Sequence, residues 1–190
     1  MEHIKQGDTY YEQAQWDDAI AEYNKALELE PAIDVSSKLA ESYASRGYAY
    51  GEKRQWDLAI ADMDSAIELD TDNALLFTFR GSLYSKKGQY FLAIDDLNKA
   101  IKLAPDYAWA YYKRGAAYDK MMQWDLAIAD LSKCISLDPN IADVYIIRGY
   151  AYLRKGQHDL AIADFNKAFE ISNDPNLIQK TSQNTSNVGE

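Results

Sequence analysis

Few side chains in this sequence can make or break bonds. There are two histidines, His3 and His158, and one cysteine, Cys134. His158-Asp159 has the composition of a metal-binding or acid–base pair, and Cys134 could serve as a nucleophile. Neither has the company that such chemistry needs. The sequence contains no Gly-rich phosphate loop, no Gly-x-Ser-x-Gly and no His-Glu-x-x-His. A single cysteine permits neither an internal disulfide nor a thiolate metal cluster. The reading is therefore not an enzyme: no catalytic residue, no metal site and no cofactor.

The chain that carries these residues has 190 residues, 47% of them hydrophobic and 26% charged, a folding composition. Its formal net charge is −10, which repels phosphate backbones and argues against nucleic acid as a partner. No apolar run approaches the roughly 20 residues that cross a bilayer, so no membrane partner is expected. Met1–Gly7 shows no signal peptide, and a cytoplasmic location is expected.

Internal repetition organises everything else. Trp16-Asp17-Asp18-Ala19-Ile20 recurs as Trp56-Asp57-Leu58-Ala59-Ile60. It recurs again at Tyr90, Trp124 and His158, with offsets of 40, 34, 34 and 34. Gly7, Gly47, Gly81, Gly115 and Gly149 keep the same step, as do Tyr10, Tyr50, Tyr84, Tyr118 and Tyr152. Each copy reads as two helices. In the fourth, Tyr111, Arg114, Gly115 and Tyr118 share one face, and Ala127, Ile128, Leu131, Cys134 and Ile135 share another. Gly115 and Ala127 would let the two backbones approach closely. His158 falls in the slot of Trp16, Trp56, Tyr90 and Trp124, which favours packing over ligation. Cys134 falls in the slot of Ala26, Ala66, Ala100 and Ala168, which favours a buried, unreactive thiol.

Tyr111-x-x-Arg114-Gly115-x-x-Tyr118, Ala127-x-x-x-Leu131 and Pro139 resemble the tetratricopeptide repeat (TPR) pattern over about residues 1–175. Arg46, Arg80, Arg114 and Arg148 depart from it by replacing the usual leucine. The resemblance implies an all-α fold, a right-handed α-solenoid of stacked antiparallel helix pairs. The repeats would be about 1–33, 40–73, 74–107, 108–141 and 142–175 in a single array. An insert at 34–39 extends the following helix. Residues 176–190 form a polar tail expected to be disordered.

The resemblance also implies a concave groove lined by the first helix of each pair, where partner segments bind. A second stripe on those helices is rich in aromatics, the chemistry of interface anchors. Tyr11, Tyr48, Trp109, Tyr112 and Tyr150, with Ile146, are the expected peptide contacts. Lys86, Lys120 and Arg154 add a basic edge, while Glu12, Glu41 and Glu52 make the early end acidic. The competing reading packs some of these aromatics between repeats. The expected function is a protein-interaction module that binds a peptide segment. The alternative is a scaffold that forms homo-oligomers through its terminal repeat, where Ile162, Phe165 and Phe169 would expose apolar surface.

Two further expectations concern charge. Glu22, Asp62, Asp96, Asp130 and Asp164 recur at one helical position opposite the arginines, so each arginine should pair with an acid of its own or the preceding repeat. The carboxylate clamp by which chaperone-adaptor TPRs hold acidic tails needs lysine, asparagine and arginine at set positions. Begun at the first repeat, those positions hold Ile4, Asp8, Ser45, Leu75 and Phe79. The frames begun at the second and third repeats match no better, so no clamp is expected.

Overall fold

The computed structural model describes residues 1–172, and the sequence-based expectations for 173–190 lie outside them. Among the described residues there are ten helices. They are α1 (Glu2–Glu12), α2 (Trp16–Leu29), α3 (Ser36–Glu52), α4 (Trp56–Leu69), α5 (Ala74–Lys86), α6 (Tyr90–Leu103), α7 (Ala108–Lys120), α8 (Trp124–Leu137), α9 (Ala142–Arg154) and α10 (His158–Ser172). None of these helices is long and apolar enough to cross a membrane. The chain divides into two compact units, one from Met1 to Gln89 holding α1–α5, the other from Tyr90 onward holding α6–α10. Each is described by itself.

Both units use one construction. Odd-numbered helices end in a left-handed turn that leads into the next helix. The residue with positive φ is Ala14, Arg54, Gly88, Met122 or Gly156, the same place in every repeat. The residue after it is always glutamine, whose N–H closes back five residues onto a tyrosine carbonyl. Gln123 to Tyr118 and Gln157 to Tyr152, both 2.9 Å, are examples. The same glutamine then accepts the first hydrogen bond of the following helix, as from Ala127 to Gln123 at 3.0 Å. Asp17, Asp57, Asp125 and Asp159 sit in the first turns of four of these second helices, where the helix dipole favours negative charge.

Small residues then set the spacing. Ala19, Ala59, Ala93, Ala127 and Ala161 are all fully buried. A Cβ added at Gly115 would lie 2.8 Å from Leu131 Cγ and 3.3 Å from the Ala127 carbonyl oxygen. A side chain there would have to displace Leu131 from between α7 and α8.

In the first unit, Ala19, Ile20, Tyr23, Val35 and Leu39 form a core under Ile4, Tyr10 and Tyr43. In the second, Ala108, Tyr112, Ala127, Leu131, Cys134 and Val144 do the same. Helix α3 has 17 residues where α5, α7 and α9 have 13. Ser36–Leu39 of the insert are the helical part, and Val35 and Leu39 seat the extension in the core.

Candidate functional site

In the second unit, α7 and α9 carry the stripe. Trp109 is 43% exposed, whereas Tyr112, one turn later, is only 9% exposed and belongs to the core. Their ring centroids are 5.4 Å apart. Lys113 Nζ stands 4.6 Å from the Tyr112 centroid and 5.2 Å from that of Trp109. The indole is therefore held in place by a buried ring and a cation while much of it stays in water. Burial pushes the Tyr112 phenol up to about 12, so it stays protonated. The placement of Lys113 over two rings was not legible in the sequence, because it depends on side-chain direction.

Ile146 and Tyr150 on α9 are half-buried, and Tyr150 meets Phe165 edge-on at 5.1 Å. Lys120 and Arg154 are exposed in the last turns of α7 and α9, where the helix dipole favours cations. Both act on Asp119. Burial pushes the Asp119 carboxyl above its ordinary value, and the two cations oppose that rise. The basic edge thus has an acid within it.

In the first unit, Tyr11 is half-buried and its hydroxyl shares a 3.2 Å hydrogen bond with Ser45 Oγ. Tyr48 is 42% exposed and rests on Phe79, with centroids 3.9 Å apart. Lys86 is exposed in the last turn of α5.

The repeated charges are organised as the sequence suggested. Arg46 bonds Asp62 of its own repeat and Asp17 of the preceding one. Arg148 bonds Asp164 and, across the repeat boundary, Ser132. Arg80 reaches back to Asp64. Two further ion pairs, Lys87–Asp57 and Lys155–Asp125, tie neighbouring repeats at the turns. The first repeat has no arginine here. Its Glu22 instead contacts His3 Nδ1 at 2.7 Å and accepts from Lys25 Nζ at 2.6 Å.

Cys134 is buried, and burial pushes its thiol up to about 11. His158 is exposed, unlike the half-buried aromatics of its slot. Among the described residues no group of His, Cys, Asp and Glu side chains is placed to hold a metal ion.

The comparisons with known proteins follow the repeats. Tetratricopeptide repeat models match residues 108–141, 40–73 and 142–175, and a TPR repeat model matches 7–53 and 81–121. The crystal structure of MamA is 33% identical, covers 90% of this chain and 90% of its own, and superposes with a TM-score of 0.71. YrrB, described as a TPR protein with an unusual peptide-binding site, is 25% identical over 95% of this chain and 90% of its own, TM-score 0.74. The first TPR of Spaghetti (RPAP3), solved bound to an HSP90 peptide, is 26% identical over 63% of this chain and 95% of its own, TM-score 0.61. No curated protein matches the chain.

Proposed function

The chain belongs to the tetratricopeptide repeat family, and on that premise we propose that it is a non-catalytic, cytoplasmic protein-interaction module that holds a segment of a partner protein. The segment lies against the exposed stripe of α7 and α9, with Trp109 as its main anchor. Ile146 and Tyr150 extend the apolar contact, and Lys120 and Arg154 favour an acidic group at its edge. Tyr11 and Tyr48 offer equivalent contacts on α1 and α3. The peptide-binding site of YrrB and the peptide held by the Spaghetti repeat support segment binding as the mode.

The observation that carries this reading is Trp109, 43% exposed yet fixed by Tyr112 and Lys113. A large aromatic held rigid at the surface costs little entropy when a partner covers it. Tyr112 supports this anchor from the core, so truncating it would disturb the fold, and Trp109→Ala alone is the clean test. Affinity capture from the source lysate should retain a partner on the wild type. The variant should bind that purified partner about thirtyfold more weakly. Equal binding by both would remove α7 from the site.

One observation favours a second reading, assembly through the last repeat. Ile162 on α10 is 56% exposed, while its counterpart Ile20 is 6% exposed. A mass in solution that rises with concentration, and no longer does so in Ile162→Lys, would support self-assembly; a concentration-independent monomer would exclude it.

A further inference from the structure

The first repeat departs from the others at Tyr23 and Asp8, and both side chains meet near Lys38 of the insert. Tyr23 stands where the other repeats have Met63, Leu97, Leu131 and Phe165. Asp8 stands where they have Tyr48, Ser82, Ala116 and Tyr150. Lys38 comes from the insert. Tyr23 donates its hydroxyl to Asp8 Oδ1 at 2.8 Å, and Lys38 Nζ donates to the same oxygen at 2.6 Å. Burial opposes the charge on Asp8, but Lys38 and Tyr23 outweigh it and hold the carboxyl below its ordinary value. Tyr23 is 2% exposed, so this wall is fixed from behind.

The wall closes one side of a cavity of about 330 Å³, whose remaining lining is Tyr11, Glu12 and Glu41. The Glu12 carboxylate has no side-chain hydrogen bond or ion pair among the described residues, and that of Glu41 receives only a 3.5 Å contact from Ser37. Three carboxylates therefore face one ammonium across a cavity that also presents two tyrosines. A merely solvated acidic face needs neither a cavity nor a phenol introduced into a packing slot. The carboxylates are not grouped to hold a metal ion. The excess charge suits an organic cation with an apolar stem.

We propose that this cavity receives an arginine side chain of the partner segment, with Glu12 and Glu41 taking the guanidinium and the Tyr11 ring lying against its plane. The proposal rests on the reading that the first-helix stripe meets a partner segment, and it names what that segment presents to the first two repeats. Arginine is favoured over lysine because a planar fork can engage two carboxylates and stack on a ring together.

The test uses N-acetyl-argininamide as the probe, titrated into the isotope-labelled full chain at low salt and followed by amide chemical shifts. Saturable shifts should be confined to α1, the middle of α2 and the start of α3. The neutral isostere N-acetyl-citrullinamide should bind about tenfold more weakly or worse. The double variant Glu12→Gln/Glu41→Gln removes two exposed charges without touching the core, and it should weaken argininamide about tenfold. Equal affinity for the two probes, tighter binding of N-acetyl-lysinamide, or an unchanged titration in the double variant would overturn the proposal. Trp109→Ala should leave the titration unaltered. Partner binding undiminished by Trp109→Ala, with the arginine shifts intact, would therefore count against the α7–α9 anchor alone, and partner binding lost in Trp109→Ala with no saturable arginine shifts would count against the cavity alone.

Discussion

Arg114 holds both carboxylate oxygens of Asp130, Nε to Oδ2 at 2.7 Å and Nη2 to Oδ1 at 2.8 Å. Its third nitrogen, Nη1, reaches Asn98 Oδ1 at 2.6 Å, and its guanidinium lies 5.7 Å from the centre of the Tyr111 ring. One side chain thus joins the two helices of its own repeat to the second helix of the preceding one. The family's usual leucine would fill the volume but leave Asp130, 7% exposed, without its counter-charge.

Arg114→Leu should therefore destabilise the protein by about 2 kcal/mol, because the cost is a buried carboxylate left unpaired. Arg114→Lys should recover only part of it, since an ammonium cannot make the fork. Urea denaturation of both, with Asp130→Asn to complete a double-mutant cycle, measures the coupling. A coupling indistinguishable from zero would reduce the pair to surface decoration. The same cycle with Asp96, which is not among the partners of Arg114, should show none.

At Met122 the backbone is left-handed, φ 57°, and the side chain is 73% exposed. Glycine fills the same place at Gly88 and Gly156, φ 75° and 72°. Met122→Gly should raise stability by roughly 0.5–1 kcal/mol, because it removes strain and loses little contact. Gly88→Ala should lower it by a similar amount. Denaturation midpoints moving the opposite way would show that the turn is not strained.

Glu22 has its carboxyl held below the ordinary value by hydrogen bonds from Lys25 and then His3. A depressed carboxylate contributes stability above its unfolded pKa and loses it as the pH falls through the folded one. The wild type should thus lose stability as the pH drops below about 4.5. Glu22→Gln should lose less over the same window. Parallel curves for the two proteins, measured by thermal melting from pH 6 to pH 3, would show that Glu22 makes no such contribution.

Acidic peptides of the HSP90 kind should not bind. Lys38 is engaged by Asp8, and the positions a clamp would use in the first frame hold Ile4, Asp8, Ser45, Leu75 and Phe79. Calorimetric titration with a peptide ending in a free acidic tail should give no heat attributable to binding at micromolar concentrations. Saturation in that range would mean that a different set of cations makes the clamp.

The repeats were legible because each packing slot is written five times. Gly115 against Ala127, and the column of arginines facing a column of acids, could be read by eye. Partner choice at the arginines could be narrowed but not completed, since Asp17, Asn98 and Ser132 lie across repeat boundaries whose geometry is set by packing. The left-handed turn was hidden at Ala14, Arg54 and Met122, where no glycine marks it. The acidic cavity was harder still. Its three wall residues, Asp8, Tyr23 and Lys38, are spread over 30 residues, and only the lengthened α3 brings the last one home. The signal in the sequence was Tyr23, a hydroxyl in a slot otherwise filled by Met63, Leu97, Leu131 and Phe165.

The glutamine-to-tyrosine bond that closes each turn spans five residues, and the bond from Arg114 to Asp130 spans sixteen. A helical hairpin can therefore register itself using only neighbours in the chain, before any other repeat is in place. Closing so short a loop costs little entropy, so hairpins should form within microseconds to milliseconds. Synthesis from the ribosome then presents each finished hairpin as a template for the next. Slow steps in folding should belong to docking between repeats and not to making them.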